Sequence, residues 1–219
     1  MVDQLFEYPE MDVKYLLPDD AETATHLHTV MKELYREREY SALDVKGKTV
    51  LDIGAFLGET AVFFSRNGAG RVIAVEPMAT FEYIGRNMGI NNVTNATVTR
   101  GYVGTELPGI DLSFINNGGS KIRAGKDAVR HYTLKELIKE FAVEKGSVMK
   151  IDAEGGEYQF FAEASDEDLM QFSQIAAEIH WSPQNNKDMP AQRLYACGFD
   201  VHMTRHYRET WDLVAKAMQ

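Results

Sequence analysis

The chain has 219 residues, 44% of them hydrophobic, and a formal net charge of −10, which suits one soluble globular domain. This acidic balance argues against nucleic acid as the main partner, because proteins that bind a phosphate backbone usually carry a basic face. One cysteine, Cys197, excludes an intrachain disulfide and indicates a reducing compartment. Neither a signal peptide nor a membrane-spanning run is evident, so we expect a cytoplasmic protein with no membrane partner.

Residues 1–46 are predicted to form an N-terminal helical extension, and residues 47–219 the main domain. Residues 1–18 contain scattered aromatic side chains without a clear period. After them, apolar residues recur with the spacing of one helix face, at Ala24, Leu27, Met31, Leu34 and Tyr35. We expect this helix to pack near the mouth of the binding pocket.

Strand and helix patterns alternate through the main domain. After the stretch 49–60, the short runs that indicate strands are 71–77, 96–99, 147–152, 174–180, 199–203 and 211–217. Right-handed crossovers between strands in this order imply a parallel sheet. Residues 104–132 interrupt the alternation with glycine, proline and asparagine, and we interpret them as a hairpin or lid insertion.

The stretch 49–60 predicts a buried strand, a tight glycine turn and the start of a helix, which together present backbone N–H groups to a ligand. A dinucleotide fingerprint aligned on Gly54 requires glycine at positions 56 and 59, which hold Phe56 and Glu59. Glu59 would also place a negative charge against a pyrophosphate, which disfavours NAD or FAD. Asp52 beside the turn suits a ligand with an ammonium group and no phosphate. A tight turn without a ligand is the alternative interpretation.

Glu76 ends the second strand about twenty residues beyond the glycine turn, where an acidic side chain accepts both hydroxyls of a ribose. No basic residue lies in Val75-Glu76-Pro77. The pattern therefore favours adenosine over a phosphorylated nucleotide, and a solvated strand end is the alternative interpretation.

Four stretches carry a family resemblance. Residues 50–58 and 72–77 resemble the first two motifs of class I S-adenosylmethionine-dependent methyltransferases. The run 150–157 is similar to the FkbM family of these enzymes, and 178–180 resembles that family's acid-x-histidine. The resemblance implies a Rossmann-like α/β fold, with a seven-stranded, mostly parallel sheet, helices on both faces and an antiparallel last strand. Phe56 departs from the family, which usually has a small polar residue there.

The same resemblance implies which residues surround the cofactor, S-adenosylmethionine. From the methionine end to adenine they are Asp52, Gly54, Phe56, Gly58, Glu76, Pro77, Tyr102 and Val103. Glu76 would hold the ribose hydroxyls, and Tyr102 and Val103 would flank adenine. Asp152 would lie near the methyl donor.

Asp152 and His180 end two neighbouring predicted strands, so we expect them to share the cleft as catalytic residues. Either side chain can take the proton of an acceptor hydroxyl, while positioning supplies much of the rate. A divalent metal held by Asp152, Glu178 and His180 is a sharper alternative, because it would acidify that hydroxyl. A histidine satisfied at a strand end is the plain structural alternative.

These observations predict an S-adenosylmethionine-dependent methyltransferase acting on a hydroxyl of a small molecule or sugar. Three alternatives stay open: an RNA or other macromolecule methyltransferase, an NAD-dependent Rossmann enzyme, and a non-catalytic binding module of the same fold. The acidic charge disfavours the first, as does the turn Asp152-Ala153-Glu154-Gly155, which lacks the Asn/Asp-Pro-Pro-aromatic motif of enzymes that methylate exocyclic amines. Phe56 and Glu59 disfavour the second.

Overall fold

The structure is a computed structural model and describes residues 3–104, 110–111, 123–124, 129–181, 183–205 and 210–218. The chain begins with an antiparallel hairpin of strands β1 (Asp3–Tyr8) and β2 (Val13–Pro18). Helix α1 (Ala21–Lys32) follows and continues into a π-helical turn (Glu33–Glu37). The predicted N-terminal helix is therefore present, but a β-hairpin that the sequence did not predict precedes it.

Ten further strands follow the hairpin. In chain order they are β3 (Thr49–Ile53), β4 (Arg71–Glu76), β5 (Ala96–Tyr102), β6 (Ile110–Asp111), β7 (Arg123–Ala124), β8 (Arg130–His131), β9 (Ser147–Ile151), β10 (Phe172–His180), β11 (Phe199–Arg205) and β12 (Thr210–Ala217). Eight of them form the main sheet, in the order β11-β12-β10-β9-β3-β4-β5-β8. Strand β12 is antiparallel to both of its neighbours, and the other described pairs in this sheet are parallel.

Helices cover both faces of the main sheet. Those after α1 are α2 (Glu59–Arg66), α3 (Phe81–Ile90), α4 (Leu134–Glu140), α5 (Glu157–Glu163), α6 (Asp166–Leu169) and α7 (Met189–Ala196). Alternate strand residues point to opposite faces. Leu51 and Met149 therefore pack with α4, α5 and α7 on one face, whereas Val50 and Val148 pack with α2 and α3 on the other. The predicted mostly parallel α/β architecture is confirmed.

The main sheet has eight strands rather than the predicted seven, because the two-residue strand β8 pairs in parallel with the end of β5. Strands β6 and β7 lie within the predicted hairpin or lid insertion and pair with each other in antiparallel fashion. Most of segment 104–132 lies outside the described residues, and its role as a lid stays a prediction. No helix in the described part of the chain is long and apolar enough to cross a membrane.

Two asparagines, one in α3 and one directly after its last residue, hold the N-terminal hairpin. The amide of Asn87 accepts the backbone N–H of Leu16 at 2.7 Å and donates to its carbonyl at 3.0 Å. One helical turn later, Asn91 makes the same pair of bonds with Lys14, at 3.0 and 2.6 Å. The two side chains thus occupy the outer edge of β2, as a neighbouring strand would.

Candidate active site

The two predicted site turns lie against each other at the carboxyl ends of β3 and β9. Gly54 follows β3 with φ +79°, and a Cβ atom there would lie 1.8 Å from the carbonyl oxygen of Asp152. The backbone N–H of Asp152 donates to the carbonyl of Ile53 at 3.0 Å, which fixes the approach. Only glycine fits this position, because both the backbone conformation and the space exclude a side chain.

A buried ion pair supports the glycine turn from below. The ammonium of Lys150, 2% exposed, donates to the carbonyl of Gly54 at 2.6 Å and lies 3.4 Å from Asp52 Oδ1. Asp52 is fully buried, and its other oxygen accepts the hydroxyl of Thr60 at 2.6 Å. Burial opposes the charge on Lys150, but Asp52 and Asp152 outweigh it and raise the pKa of Lys150. The described contacts of Asp52 are internal, so its predicted cofactor contact stays a prediction.

Glu76 joins the glycine turn to the end of β4. One carboxylate oxygen accepts the backbone N–H of Phe56 at 2.8 Å, and the other accepts that of Met78 at 2.7 Å. Burial raises the pKa of Glu76 to about 7, against the effect of these hydrogen bonds. The hydroxyl of Thr80 also donates to the oxygen that binds Met78, at 3.3 Å, so a free lone pair remains on the oxygen that binds Phe56. The ribose contact of Glu76 stays a prediction.

Phe56 and Gly58 complete the turn. Phe56 has φ +45°, and its ring packs edge-on against the ring of His26 from α1, with centroids 4.7 Å apart. Gly58 has φ +88°, and a Cβ atom there would lie 2.9 Å from Ile84 of α3. Phe56, which stands where the family usually has a small polar residue, therefore packs against a side chain of the N-terminal extension.

Glu59 occupies the N-terminus of α2 itself. Its side chain is almost fully buried and accepts the backbone N–H of Leu57 at 3.0 Å. Burial raises the pKa of Glu59 to about 8. The sequence interpretation placed Glu59 against a bound pyrophosphate, whereas the structure turns it inward. The conclusion against a phosphate site is strengthened, because the protein's own carboxylate takes the position that an anion would use.

Tyr102, Val103 and Pro77 lie at the ends of the neighbouring strands β5 and β4. Tyr102 and Val103 are 5% and 6% exposed, and the Tyr102 ring packs against that of His131 at 5.0 Å. Behind Val103, a Cβ atom on Gly104 would lie 2.9 Å from Gly156. This close approach brings the end of β5 to the turn that follows β9, so the predicted adenine and methyl-donor regions border one cleft.

His180, at the end of β10, lies among four carboxylates. Its Nδ1 is 3.2 Å from Glu157, and its Nε2 is 3.5 Å from Glu154, 3.9 Å from Glu178 and 4.0 Å from Asp152. Burial opposes its charge, but the Glu157 hydrogen bond and the nearby carboxylates together raise the pKa of His180 to about 10. The imidazolium state has no lone pair and acts as a hydrogen-bond donor, so a role as base stays a prediction.

Asp152, Glu178 and His180 form the set that can hold a metal. One ligand atom from each side chain lies within 4.8 Å of the other two. Burial and the charge of Asp152 raise the pKa of Glu178, and the neighbouring His180 acts in the opposite direction. Two carboxylates and an imidazole suit a divalent cation. The structure brings the predicted ligands together, and metal binding itself stays a prediction.

Sequence reasoning missed the structural roles of Lys150 and Glu157. Glu157 is fully buried and accepts the backbone N–H groups of Ala153 and Gly155, so it shapes the turn as well as orienting His180. For Lys150 the sequence does contain a signal, because a lysine inside an apolar strand is almost never buried unless it is paired. The contact of His26 with Phe56 has no comparable signal, because the two residues are thirty positions apart.

The comparisons with known proteins agree with this geometry. A family model described as the Methyltransferase FkbM domain matches residues 52–201. A precorrin-6y C5,15-methyltransferase from Geobacter metallireducens has a TM-score of 0.54 at 13% identity, with 84% of this chain and 87% of that chain covered. TYW2 from M. jannaschii, in complex with AdoMet, has a TM-score of 0.52 at 13% identity, with coverages of 98% and 84%. A putative tRNA (m1A22) methyltransferase from Streptococcus pneumoniae has a TM-score of 0.52 at 15% identity, covering 84% and 70%. No curated protein sequence matches the chain.

The fold is that of the Rossmann-like class I methyltransferases, which these structural neighbours share. The chain belongs to the FkbM methyltransferase family, whose model covers about two thirds of it. The matched region includes the glycine turn, Glu76, the Asp152 turn and His180. It excludes the N-terminal hairpin and α1.

Proposed function

We propose that the protein is an S-adenosylmethionine-dependent methyltransferase that modifies a hydroxyl group of a small molecule or sugar. One observation carries the proposal: the Gly54 turn and the Asp152 turn are in backbone contact. The turn that suits the cofactor and the polar cluster that suits an acceptor therefore face the same cleft. Open α/β sheets bind their ligands at this edge, beyond the carboxyl ends of the strands.

Two carboxylates favour a nucleoside cofactor that has no phosphate. Glu76 is held by backbone N–H groups at the position that binds ribose in doubly wound folds. The buried side chain of Glu59 accepts a backbone N–H group at the N-terminus of α2. A pyrophosphate at this helix N-terminus would have to displace the buried Glu59 side chain, whereas an amino-acid-bearing adenosine would not need the helix N-terminus.

Three residues of the chain have separate roles in the proposed transfer of a methyl group to oxygen. S-adenosylmethionine supplies an activated methyl group on its sulfonium, and the acceptor must approach it in line. In this proposal Asp152 binds the acceptor hydroxyl and takes its proton. His180, as a cation, donates a hydrogen bond to the acceptor or to a neighbouring carboxylate. Glu157 positions His180 and holds the Asp152 turn.

Calorimetry with S-adenosylhomocysteine and with NAD tests the cofactor. We expect S-adenosylhomocysteine to bind and NAD not to bind, and the reverse result would overturn the proposal. A transfer assay with methyl-labelled S-adenosylmethionine then compares sugars and small hydroxyl compounds with RNA as acceptors. Label in RNA and in no hydroxyl compound would reject the acceptor class, and binding without transfer to any acceptor would favour a non-catalytic module.

A divalent cation at Asp152, Glu178 and His180 is a second candidate feature of this site, and it would acidify the acceptor hydroxyl. Titration of chelator-treated protein with Mn²⁺ tests it against a Glu178→Gln variant. Asp200→Asn is the matched control, since Asp200 forms an exposed pair with His202 at 3.5 Å on β11. If both variants bind Mn²⁺ equally, or if the parent protein binds none, the proposal of a metal at this site is rejected.

A further inference from the structure

The two histidines of α1 face different parts of the molecule. Residues two apart on a helix point about 200° away from each other. His28 contacts the hairpin: its Nδ1 is 2.7 Å from the Tyr8 hydroxyl, and its ring lies 5.4 Å from that of Phe6. His26 instead contacts Phe56 in the glycine turn, ring edge to ring face, at 4.7 Å and 89°.

Packing fixes the position of α1 over the glycine turn. Leu27 and Met31 of this helix are buried in one cluster with Leu57, which belongs to the turn, and Val62 of α2. The carboxylate of Asp20 caps the helix by accepting two backbone N–H groups of its first turn. The location of His26 is therefore set by the fold and not by the freedom of a terminal segment.

His26 lies against the glycine turn through its ring contact with Phe56. Burial and the charge of Lys150 lower its pKa, while Asp152 acts in the opposite direction. Both residues also border the glycine turn: Lys150 donates to the carbonyl of Gly54 at 2.6 Å, and the carbonyl of Asp152 limits the space beside Gly54. Among the residues that the structure describes, His26 has no hydrogen-bond partner, and its polar atoms are available to a ligand.

We propose that helix α1 brings His26 into the cofactor pocket, where its imidazole faces the sulfonium end of S-adenosylmethionine. The inference rests on the proposed function. Glu76 locates the ribose and the glycine turn locates the amino-acid end, so the sulfur that joins them lies next to Phe56. The backbone N–H of Phe56 donates to the Glu76 carboxylate at 2.8 Å, and the ring of Phe56 contacts the ring of His26.

This position gives His26 a specific consequence for the cofactor. The uncharged imidazole presents a lone pair to a cation, whereas the protonated ring repels one. S-adenosylmethionine carries the sulfonium charge, and S-adenosylhomocysteine, the product, does not. Protonation of His26 is therefore expected to weaken binding of the methyl donor more than binding of the product.

The test is a titration of the histidine side chains by NMR in the free protein, the S-adenosylhomocysteine complex and the S-adenosylmethionine complex. His26→Asn assigns the signal, and His28 on the same helix is the internal control. One charge about 6 Å away changes a pKa by about 0.5 to 2. We expect the pKa of His26 to be lower with the methyl donor than with the product by at least about 0.5, and that of His28 to be the same in both.

Affinities provide a second readout. Between about pH 8 and a pH well below the pKa values of His26 in both complexes, the ratio of the Kd for S-adenosylmethionine to that for S-adenosylhomocysteine should rise at least about threefold in the parent, the equivalent of that pKa difference. The rise should be absent in His26→Asn and retained in His28→Asn. Equal pKa values for His26 in the two complexes, or an unchanged ratio in the parent, overturn the inference. Failure of both ligands to bind would instead reject the proposed function.

Discussion

Replacement of Gly54 by alanine is the sharpest test of how the two site turns are joined. The new Cβ atom would lie 1.8 Å from the carbonyl oxygen of Asp152, and neither backbone can retreat without breaking the hydrogen bond from Asp152 to Ile53. Gly146 is the matched control: its φ is +90°, but no atom lies within 4 Å of the position of an added Cβ. Both variants place alanine at a positive φ, which costs stability in each, but only Gly54→Ala also creates a steric clash.

The magnitudes separate the two variants. Alanine in the left-handed region costs about 1–2 kcal/mol, part of which the less flexible unfolded chain offsets. Gly146→Ala should therefore lose about 1 kcal/mol. In Gly54→Ala the clash with fixed backbone adds about 1–3 kcal/mol, the usual cost of overpacking, for a total of about 2–4 kcal/mol.

Urea unfolding followed by circular dichroism measures both variants, with calorimetry of S-adenosylhomocysteine for the folded ones. A Gly54→Ala protein that is unfolded in water would have lost its whole stability, usually about 5–15 kcal/mol, and would show a clash larger than expected but in the same direction. Equal losses of stability in the two variants would refute the reasoning. They would show that Gly54 is needed only for its backbone conformation and that the contact between the turns can relax.

Three further predictions follow from the buried carboxylates, the buried lysine and a helix cap. Glu76→Gln should weaken S-adenosylhomocysteine binding about tenfold or more, because hydrogen bonds to a charged group are lost. Since the pKa of Glu76 is about 7, parental affinity should fall as the pH is lowered through 7, and a flat profile would contradict the ribose assignment. Lys150→Met should cost about 3–5 kcal/mol in urea unfolding by leaving Asp52 unpaired, with partial recovery in the Asp52→Asn double variant. Thr133→Ala breaks the capping box with Glu136 and should cost about 1 kcal/mol without affecting ligand affinity.

The main sheet was predictable because its strands are buried on both faces and follow one another through helices. Runs such as 71–76 and 147–151 therefore read as strands without reference to the rest of the chain. The capping box of Thr133 and Glu136 likewise marks a helix start by a local pattern, threonine followed three residues later by glutamate. The hairpin 3–18 escaped prediction because its inner face is set by contacts with α1 and α3 and not by a regular alternation along β1.

The candidate site was predictable as a group of residues but not as a set of contacts. Strand ends of a parallel sheet meet at one edge, so Asp152 and His180 were expected together. Their surroundings depend on chain segments that are distant in sequence. The inward turn of Glu59, the ion pair of Lys150 with Asp52 and the approach of His26 all arise from tertiary packing, which leaves no period in the sequence.

The asparagine pair at the end of α3 has a consequence for the behaviour of the chain in concentrated solution. An exposed strand edge is a template for pairing with another molecule, and the hairpin would present one along β2. Asn87 and Asn91 satisfy the N–H and carbonyl groups of Leu16 and Lys14 and so remove that template. The same four hydrogen bonds that hold the extension over the cleft therefore also protect the protein from edge-to-edge aggregation.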